Sequence, residues 1–338
     1  MSNRSLEIQT FILNHVDLHP HDVVAFTSAN FNVTRTTVHR HINTLVEKGQ
    51  LIKSGTTAGI NYYKSDNLNQ KHTYKITHTL TEFEVYCKDF EHLFLNFKVN
   101  IQDAIHYVFT EIFNNAIDHS KGKKISASTQ LCKDKLTFTI EDDGIGIFVK
   151  IAQFFKLDDV QESVLQLSKG KLTTDPVNHT GEGLFFSARI FDIFEIYANN
   201  IHYYRDNQEN DWGIEHVNKM QKGTKIRLTI DMNTEKNLIS IFTKYQNPES
   251  LAFDRTEILV ELSRLGQETL ISRSQAKRII LGLDQFTLIT LDFSKVRLVG
   301  QGFVDEIFRV FAQANPNIQI KYIHANDDVE FMIKRSIQ

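Results

Sequence analysis

The sequence predicts a multidomain protein of the α+β class. With 338 residues, the chain exceeds the length at which one hydrophobic core usually stops growing. Three kinds of pattern follow one another: helical patterns before a pair of strands, then strands and helices around glycine motifs, then strands alternating with helices. Polar stretches near residues 67–70 and at Asn247-Pro248 separate these patterns. We therefore expect domains at residues 1–66, 75–235 and 247–338.

Composition and charge exclude several classes of protein. The sequence has no uncharged apolar run of about 18 residues and no signal pattern at its N-terminus, so we expect a cytoplasmic protein without a membrane segment. Cys87 and Cys132 lack the CxxC spacing of zinc or redox sites, so we expect both to be reduced. A net charge of −3 does not by itself decide whether the chain binds nucleic acid.

The N-terminal domain combines three helical patterns with two predicted strands. Thr34 is a candidate N-cap for the third helix. The strands are expected at residues 51–53 and 60–64, joined by a glycine-containing turn at 54–59. This layout is that of a winged helix-turn-helix, in which the turn is the wing. The predicted core positions are Ile8, Phe11, Ile12, Val23, Val24, Phe26, Val38, Ile42, Leu45 and Val46.

The polar face of the third helix indicates DNA binding. Residues 34–64 include five basic residues and one acidic residue, although residues 1–66 as a whole carry six basic and five acidic ones. The pattern at residues 33–52 resembles the winged helices of bacterial transcription regulators. Some winged helices serve only as protein-docking modules, and that alternative stays open. The predicted DNA-contacting residues are Arg35, Thr36, Thr37, His39, Arg40 and Asn43.

One long helix of the second domain carries three polar residues on one face. Apolar residues recur at spacings of four and three from Ile101 to Ile112, as on a helix with one buried side. Glu111, Asn115 and Asp118 fall at i, i+4 and i+7, which places two carboxylates and an amide on the same face. Such a row suits a metal ion and a water molecule. An amphipathic helix with a solvated polar face would show the same pattern, so this segment alone leaves both interpretations open.

Two glycine motifs follow this helix. Asp142 ends a predicted strand and is followed by Gly144 and Gly146, where the missing side chains would let the backbone approach a ligand. After a lysine-bearing segment, Gly181 and Gly183 precede a helix whose N-terminal amides are suited to phosphate oxygens. The lysine-bearing segment would close over them as a lid. Strands are predicted at residues 124–130, 136–141, 193–198, 201–204 and 224–230.

The order of four motifs resembles the GHKL superfamily of gyrase, heat-shock chaperone, histidine kinases and mismatch-repair ATPase. The motifs are an Asn-bearing helix, DxGxG, GxG before a helix, and Gly-Thr before a strand, within residues 75–235. The resemblance implies a Bergerat-type α/β sandwich that binds ATP between helices and lid. Asn115 would hold Mg²⁺, and Asp142 would accept from the adenine amino group, with Thr224 nearby through water. The implied ATP-binding residues are Asn115, Asp142, Gly144, Gly146, Lys171, Thr180, Gly181, Gly183, Leu184 and Thr224.

Glu111 bears on the reaction type. The ATP-hydrolysing members of the superfamily carry a Glu four residues before the Asn, where it orients and deprotonates the attacking water. The resemblance therefore implies that Glu111 is catalytic. Some serine kinases of the anti-sigma type also carry an acid there, so phosphotransfer remains an alternative. No segment upstream resembles the phosphoacceptor box of histidine kinases.

The C-terminal domain is predicted to hold a parallel or mixed sheet covered by helices. Residues 287–311 resemble the STAS domains of bacterial anti-sigma antagonists, and more closely the STAS-like domain attached to GHKL modules. Those antagonists accept phosphate on a serine before the second helix, whereas Gln301 stands in this turn. A docking or sensing module is therefore implied. Strands are expected at residues 257–262, 286–293 and 318–323, and helices at 272–283, 302–313 and 327–337.

These patterns together predict a cytoplasmic, DNA-binding transcription regulator that binds and hydrolyses ATP with Mg²⁺. Nucleotide state would control how the domains dock. The expected partners are double-stranded DNA and a protein bound by the STAS-like domain. A homodimer is also expected, because winged helices often read two half-sites and GHKL modules often pair. The alternatives are a partner-switching protein kinase that acts on a separate protein, and a non-catalytic interaction protein that binds ATP.

Overall fold

The chain forms two compact units of mixed α+β structure, and the predicted class is confirmed. Unit 1 comprises Met1–Asp142, Phe191–Phe194 and Lys225–Asn237, and unit 2 comprises Asp143–Ile190, Glu195–Thr224 and Leu238–Gln338. None of the helices in the described ranges combines the length and apolar character that a membrane-spanning segment needs. The computed structural model describes residues 3–48, 50–54, 60–64, 68–95, 97–132, 134–172, 181–218, 222–266 and 268–337.

Unit 1 begins with three helices and a β-hairpin. The elements are α1 (Asn3–His15), α2 (Val23–Phe31), α3 (Arg35–Glu47), β1 (Leu51–Ser54) and β2 (Asn61–Lys64). The two strands pair antiparallel. Helix α3 begins at Arg35 because the hydroxyl of Thr34 accepts a hydrogen bond from the backbone N–H of Thr37, at 3.2 Å. The N-cap prediction is thus confirmed, while residues 55–59 of the predicted wing lie outside the described residues.

The core of this N-terminal region contains most of the predicted apolar positions. Four of those positions are only half-buried, namely Phe11, Val24, Phe26 and Val46. The rings of Phe11 and Phe26 stack with their centroids 5.6 Å apart, so these two side chains cover the edge of the core. The buried cluster consists of Ile8, Ile12, Val16, Val23, Val38, Ile42, Leu45, Leu51 and Tyr62.

The middle of the chain supplies both units with strands and helices. Local sequence patterns predict most of these strands but not β3 and β8, and they do not predict the helices α7, α8 and α10. The elements are β3 (Gln70–Lys75), α4 (Glu82–Asp89), α5 (Glu91–Phe94), α6 (Val99–His119), β4 (Lys124–Cys132), β5 (Lys135–Asp142), α7 (Ile147–Phe155), α8 (Glu162–Lys169), α9 (Gly183–Ile190), β6 (Ile193–Ala198), β7 (Ile201–Asp206), β8 (Asp211–His216), β9 (Thr224–Asp231) and α10 (Leu238–Tyr245).

In unit 1, helix α6 packs against an antiparallel sheet. The strands lie in the order β3-β4-β5-β9, and each pairs antiparallel with its neighbour. Phe109 of α6 contacts Phe138 of β5, with ring centroids 5.5 Å apart. The predicted apolar side of α6 is confirmed, because its residues are buried toward this sheet. The buried residues of α6 are Ile101, Ala104, Ile105, Val108, Phe109, Ile112, Phe113 and Ala116.

In unit 2, strands β6, β7 and β8 lie side by side in that order. Strand β7 pairs antiparallel with β8. Asn199 and Asn200 connect β6 to β7, and both have positive φ angles, of 52° and 63°. Two successive residues of this kind form the type I′ turn that matches the twist of a hairpin, and Asn tolerates this conformation better than most residues.

The C-terminal part of unit 2 has a parallel sheet, as the alternation of strands and helices predicted. Its strands are in the order β10-β11-β12 and pair parallel in both cases. A continuous helical stretch follows β11: it starts as α12, continues as a π-helix at Glu306–Phe311 and ends as α13. The elements are β10 (Arg255–Leu259), α11 (Arg273–Ile280), β11 (Leu288–Asp292), α12 (Gln301–Asp305), α13 (Ala312–Ala314), β12 (Gln319–Ile323) and α14 (Asp327–Ile337).

Candidate active site

The three polar residues predicted on one face of helix α6 lie outside its buried apolar side. Glu111 and Asn115 are half-buried and one turn apart, whereas Asp118 is exposed near the C-terminal end of the helix. The packing of the apolar side against β4 and β5 fixes the rotation of α6 about its axis. A carboxylate and an amide oxygen are therefore held together at a boundary between protein and solvent, where a polar ligand can reach both.

Asp142 is a buried carboxylate at the end of β5. Strand β5 alternates in burial, and Leu136, Phe138 and Ile140 face inward together with Asp142. The side of the strand that contacts α6 through Phe138 therefore ends in an acidic residue, which is 6% exposed. A buried carboxylate is stable only with hydrogen-bond donors around it, so this position is well suited to accept from an amino group of a ligand.

In unit 2, the first glycine motif leads directly into helix α7. Gly146 is the N-cap of this helix and has a φ angle of +84°. A Cβ atom at Gly146 would lie 2.6 Å from Nδ2 of Asn199. Asn199 is itself held in place, because its Nδ2 donates to the carbonyl of Ile145 at 3.0 Å and its Oδ1 accepts from the backbone N–H of Val149 at 3.1 Å. Gly146 is therefore required by both backbone conformation and space.

Thr224 stabilises the same helix start. Its side chain is buried, with 8% exposed, and its hydroxyl oxygen accepts a hydrogen bond from the backbone N–H of Ile147 at 2.9 Å. Ile147 is the first residue of α7, so this N–H has no partner within the helix. The Gly-Thr motif thus supports the DxGxG motif from a distance of 77 residues in sequence.

The second glycine motif begins helix α9. Gly183 is its first residue, and Leu184 is half-buried in its first turn. Gly181 has a φ angle of +72°, and a Cβ atom there would lie 2.5 Å from the carbonyl carbon of Leu172. The backbone N–H of Leu172 donates to the carbonyl of Gly181 at 3.1 Å, so the motif is in direct contact with Leu172. The first amides of α9 are the type of group that binds phosphate oxygens.

Lys171 and Glu182 lie beside this motif and influence each other. Burial lowers the pKa of Lys171, and Glu182 and Asp254 act in the opposite direction. Burial raises the pKa of Glu182, and Lys171 opposes that shift. The ammonium group of Lys171 donates to the carbonyl of Gln285 at 2.7 Å. Thr180 lies outside the described residues.

The oxygen donors on α6 would suit a magnesium ion that is shared with a phosphate-bearing ligand. Within the described ranges, no group of three His, Cys, Asp or Glu residues could hold a metal ion without further ligands. Mg²⁺ at nucleotide sites usually takes one or two protein oxygens and fills its octahedral shell with phosphate oxygens and water. The amide oxygen of Asn115 is a hard ligand of this kind, and the carboxylate of Glu111 stands one turn away.

Comparison with known families identifies two parts of the chain. Residues 100–234 match the family described as histidine kinase-, DNA gyrase B-, and HSP90-like ATPase. The middle of the chain is thus similar to the GHKL-type ATPases. Residues 275–330 match the family described as STAS-like domain of unknown function. Both resemblances predicted from the motifs are confirmed at this level, and neither match includes α1 to β2. No curated protein matches the chain.

The sequence analysis missed Asn199 as a contributor to the candidate site. The Asn-Asn pair between two predicted strands is a recognisable hairpin-turn signal. Nothing in the local pattern indicates that the first Asn also supports the glycine motif, because its partner carbonyl is 54 residues earlier in the sequence.

The candidate DNA-contacting residues share the exposed side of α3. Arg35, Thr36, His39, Arg40 and Asn43 are exposed, whereas Thr37 is half-buried. The hydroxyl of Thr37 forms a hydrogen bond with that of Thr34 at 2.9 Å, so Thr37 contributes to the start of the helix. Helix α3 therefore presents cationic and hydrogen-bonding side chains opposite its buried residues Val38, His41, Ile42 and Leu45.

Replacement of Gly146 by alanine should destabilise the fold more than the same change at Gly266. Gly266→Ala introduces strain at a φ angle of +59° with no atom within 4 Å, and we expect a loss of about 1 kcal/mol in the free energy of unfolding. Gly146→Ala adds a clash with Asn199, whose movement would break two hydrogen bonds, so the loss should be about 1–3 kcal/mol greater. Urea denaturation of both variants measures the difference. Equal losses would contradict the packing described for Gly146.

Proposed function

We propose that this protein binds and hydrolyses ATP and regulates transcription by binding DNA. Its modules would be those expected at residues 1–66, 75–235 and 247–338. The observation that carries the proposal is the position of Glu111 one helical turn before Asn115, on a helix within the segment that matches the GHKL-type ATPases. An acid at this distance from a Mg²⁺-binding amide is suited to act on the water that attacks the terminal phosphate.

The proposed roles divide between the two units. In unit 1, Asp142 accepts a hydrogen bond from the adenine amino group, Asn115 holds Mg²⁺ through its amide oxygen, and Glu111 removes a proton from the attacking water. Bound Mg²⁺ would neutralise charge on the phosphate oxygens. In unit 2, the glycines and the first amides of α9 contact the phosphates. The remaining proposed ATP-binding residues are Gly144, Gly146, Lys171, Thr180, Gly181, Gly183, Leu184 and Thr224. The proposed residues of both units lie within residues 100–234, the segment that matches the GHKL-type ATPases.

We further propose that α3 enters the major groove of double-stranded DNA. Three helices followed by an antiparallel pair of strands support a winged helix in the N-terminal region, and the exposed side of α3 carries Arg35 and Arg40. Such residues would contact phosphates or base edges. Nucleotide state would then change how the modules dock and thereby whether α3 can reach DNA. We expect the protein to act in the cytoplasm and as a homodimer.

A protein kinase of the partner-switching type is the second candidate. It is favoured by the match of residues 275–330 to a STAS-like domain. The anti-sigma antagonists that accept phosphate from GHKL kinases are STAS domains. Gln301 begins α12, and the turn at the start of this helix offers no hydroxyl where the antagonists carry their phosphorylated serine, so phosphate would have to pass to a separate protein. A non-catalytic protein that binds ATP is the third candidate. The STAS-like module would in each case serve in docking or sensing.

Glu111→Ala should keep ATP binding and abolish phosphate release. Loss of a general base typically lowers a rate by about 10²–10⁴-fold, so turnover should fall by at least about 100-fold. Incubation with γ-labelled ATP measures this and separates the candidates: free labelled phosphate supports an ATPase, label on protein supports a kinase, and neither supports a binding protein. Asp118→Ala is a matched control, because it removes a carboxylate from the exposed end of the same helix. Unchanged turnover in Glu111→Ala would refute the assigned role.

Asp142→Asn should weaken ATP binding more than any other single change at the site. The amide replaces an acceptor with a donor toward the adenine amino group, and we expect at least about tenfold weaker binding. Titration with a fluorescent ATP analogue measures the affinity. Titration with GTP is the control, because guanine has a carbonyl oxygen where adenine has its amino group, so the amide of the variant can donate to it and GTP binding should not be weakened. An unchanged affinity for ATP would remove the adenine assignment.

Arg40→Ala should weaken DNA binding at all sequences and reduce its salt dependence. Loss of one phosphate contact should reduce the slope of log affinity against log salt concentration by about one. Fluorescence anisotropy with duplex DNA at several salt concentrations measures both quantities. Arg297→Ala removes the same charge from an exposed position in unit 2 and serves as the control. The same loss in both variants would indicate a nonspecific charge effect and would contradict the placement of DNA on α3.

A further inference from the structure

The buried side of helix α9 packs against the C-terminal region, which we define as residues 238–337 of unit 2. Phe185 and Phe186 are each 1% exposed. The ring of Phe185 lies 4.7 Å from that of Phe253 and 4.9 Å from that of Tyr245. The ring of Phe186 lies 4.6 Å from that of Phe242. The helix that carries Gly183 in its first turn therefore obtains much of its core from beyond the segment that matches the ATPases.

Arg189 forms a second contact at the other end of α9. Its guanidinium is buried and lies over the ring of Phe185, with Cζ 3.4 Å from the ring centroid. One nitrogen donates to the carbonyl of Phe185 at 3.0 Å, and another donates to the carbonyl of Glu257 in β10 at 3.3 Å. Because a buried cation without partners is costly, these contacts bind the end of α9 to β10.

Glu257 supplies the negative charge near this cation. Its carboxylate lies 3.1 Å from Nζ of Lys244 and 3.7 Å from a guanidinium nitrogen of Arg205. Burial by itself raises the pKa of Glu257, but Arg189, Lys244 and Arg205 together hold it below the ordinary value of 4.5. The carboxylate is therefore ionised at neutral pH and offsets the buried positive charge.

Among the described lysines of unit 2, Lys169 at the end of α8 is the most deeply buried. Its side chain is 3% exposed, and burial lowers its pKa well below the ordinary value. Its Nζ donates to Oε1 of Gln166 at 2.9 Å and to the carbonyls of Arg278 and Leu281 at 2.8 Å and 2.9 Å. Three acceptor oxygens match the three N–H donors of an ammonium group. Helix α8 is thereby attached to the C-terminal end of α11.

The backbone next to Lys169 is attached to β10 and to the aromatic cluster. The hydroxyl of Thr256, in β10, donates to the carbonyl of Lys169 at 2.7 Å. Gly170 has a φ angle of +81°, and a Cβ atom there would lie 2.7 Å from Phe253 and 2.9 Å from Phe185. The end of α8 and the side of α9 therefore share the same contacts with the C-terminal region.

Arg278 extends this contact across α11. Its side chain lies 3.4 Å from the carboxylate of Glu162 in α8 and donates to Glu268 at 2.8 Å. Its backbone carbonyl accepts from Lys169. A displacement of α11 would therefore disturb α8 through both its main chain and its side chain.

We propose that Lys169 and Arg189 are positioning residues through which the C-terminal region sets the placement of α9, and thereby the affinity of the chain for nucleotide phosphates. This inference rests on the proposed ATP-binding function. Because coupling between two sites is reciprocal, a phosphate-bearing ligand at the first turn of α9 changes the stability of α11 by the same free energy. The C-terminal region therefore acts as an internal regulator of nucleotide binding.

Hydrogen exchange of the full-length wild-type protein, with and without Mg-ATP, tests the coupling directly. We expect ATP to slow exchange in the amides of α11, none of which belongs to the proposed nucleotide site. ATP binding without any change in α11 would overturn the inference while leaving the proposed function intact. Failure of the wild type to bind ATP would overturn the proposed function, and the inference with it.

Lys169→Met provides the second test, because methionine is unbranched like lysine and only one atom shorter, and it lacks the ammonium donors. We expect the variant to fold, to bind ATP about tenfold more weakly, and to lose the response of α11 to ATP. Lys277→Met changes an exposed lysine of α11 in the same way and should behave like the wild type. Wild-type affinity together with a wild-type response in Lys169→Met would refute its role.

Thr256→Val replaces this test if Lys169→Met does not fold. Valine keeps the shape of threonine and removes only the hydrogen bond to the carbonyl of Lys169. We expect about threefold weaker ATP binding and a smaller response of α11 to ATP. The melting temperature of the variant should stay high enough for the protein to be fully folded during the assay. A purely structural role would lower the melting temperature and leave the response of α11 to ATP unchanged, and that result would overturn the proposal.

Discussion

The burial of two cations constrains how α8 and α9 pack in unit 2. Lys169 and Arg189 are removed from water, and an unpaired charge in such a place costs several kcal/mol. Their partners are mostly backbone carbonyls: those of Arg278 and Leu281 at the C-terminal end of α11, and that of Glu257 in the middle of β10. Backbone acceptors cannot turn away as side chains can. The elements that carry them must therefore remain against α8 and α9 for the cations to stay buried.

This constraint changes the meaning of the boundary expected near Asn247. In sequence, Asn247-Pro248 separates a segment similar to ATPases from a segment similar to STAS-like domains. In the fold, Tyr245 and Phe253 on the two sides of that dipeptide both contact Phe185. A polar dipeptide shows where the chain passes near the surface, but it does not show whether the segments on either side share a core. Family similarity and compact units therefore divide this chain at different places.

Much of the fold and part of the candidate site could be predicted from local patterns. The apolar spacing from Ile101 to Ile112 is sufficient to place Glu111 and Asn115 on one side of α6, because helical geometry alone determines that relation. Asp142 could likewise be located at a strand end from the alternation of β5. Helix α7 is not predicted by its local pattern, because the glycines before Ile147 indicate a turn and mask the helix that starts there. Lys169 could not be recognised as buried, because its backbone partners are 109 and 112 residues away and lysine is rarely enclosed.

A partner that is part of the same polypeptide has a concentration set by chain connectivity. The contact of α8 and α9 with the C-terminal region is intramolecular, and its effective concentration does not depend on expression level or dilution. Regulators that work by exchanging separate partners respond to the relative amounts of those partners. Each chain carries one copy of each module, so their ratio is fixed. The contact can therefore respond only to something that changes its strength, such as a ligand or a modification. Because the two modules are covalently linked, the contact depends on the state of this chain and not on the amount of a separate partner.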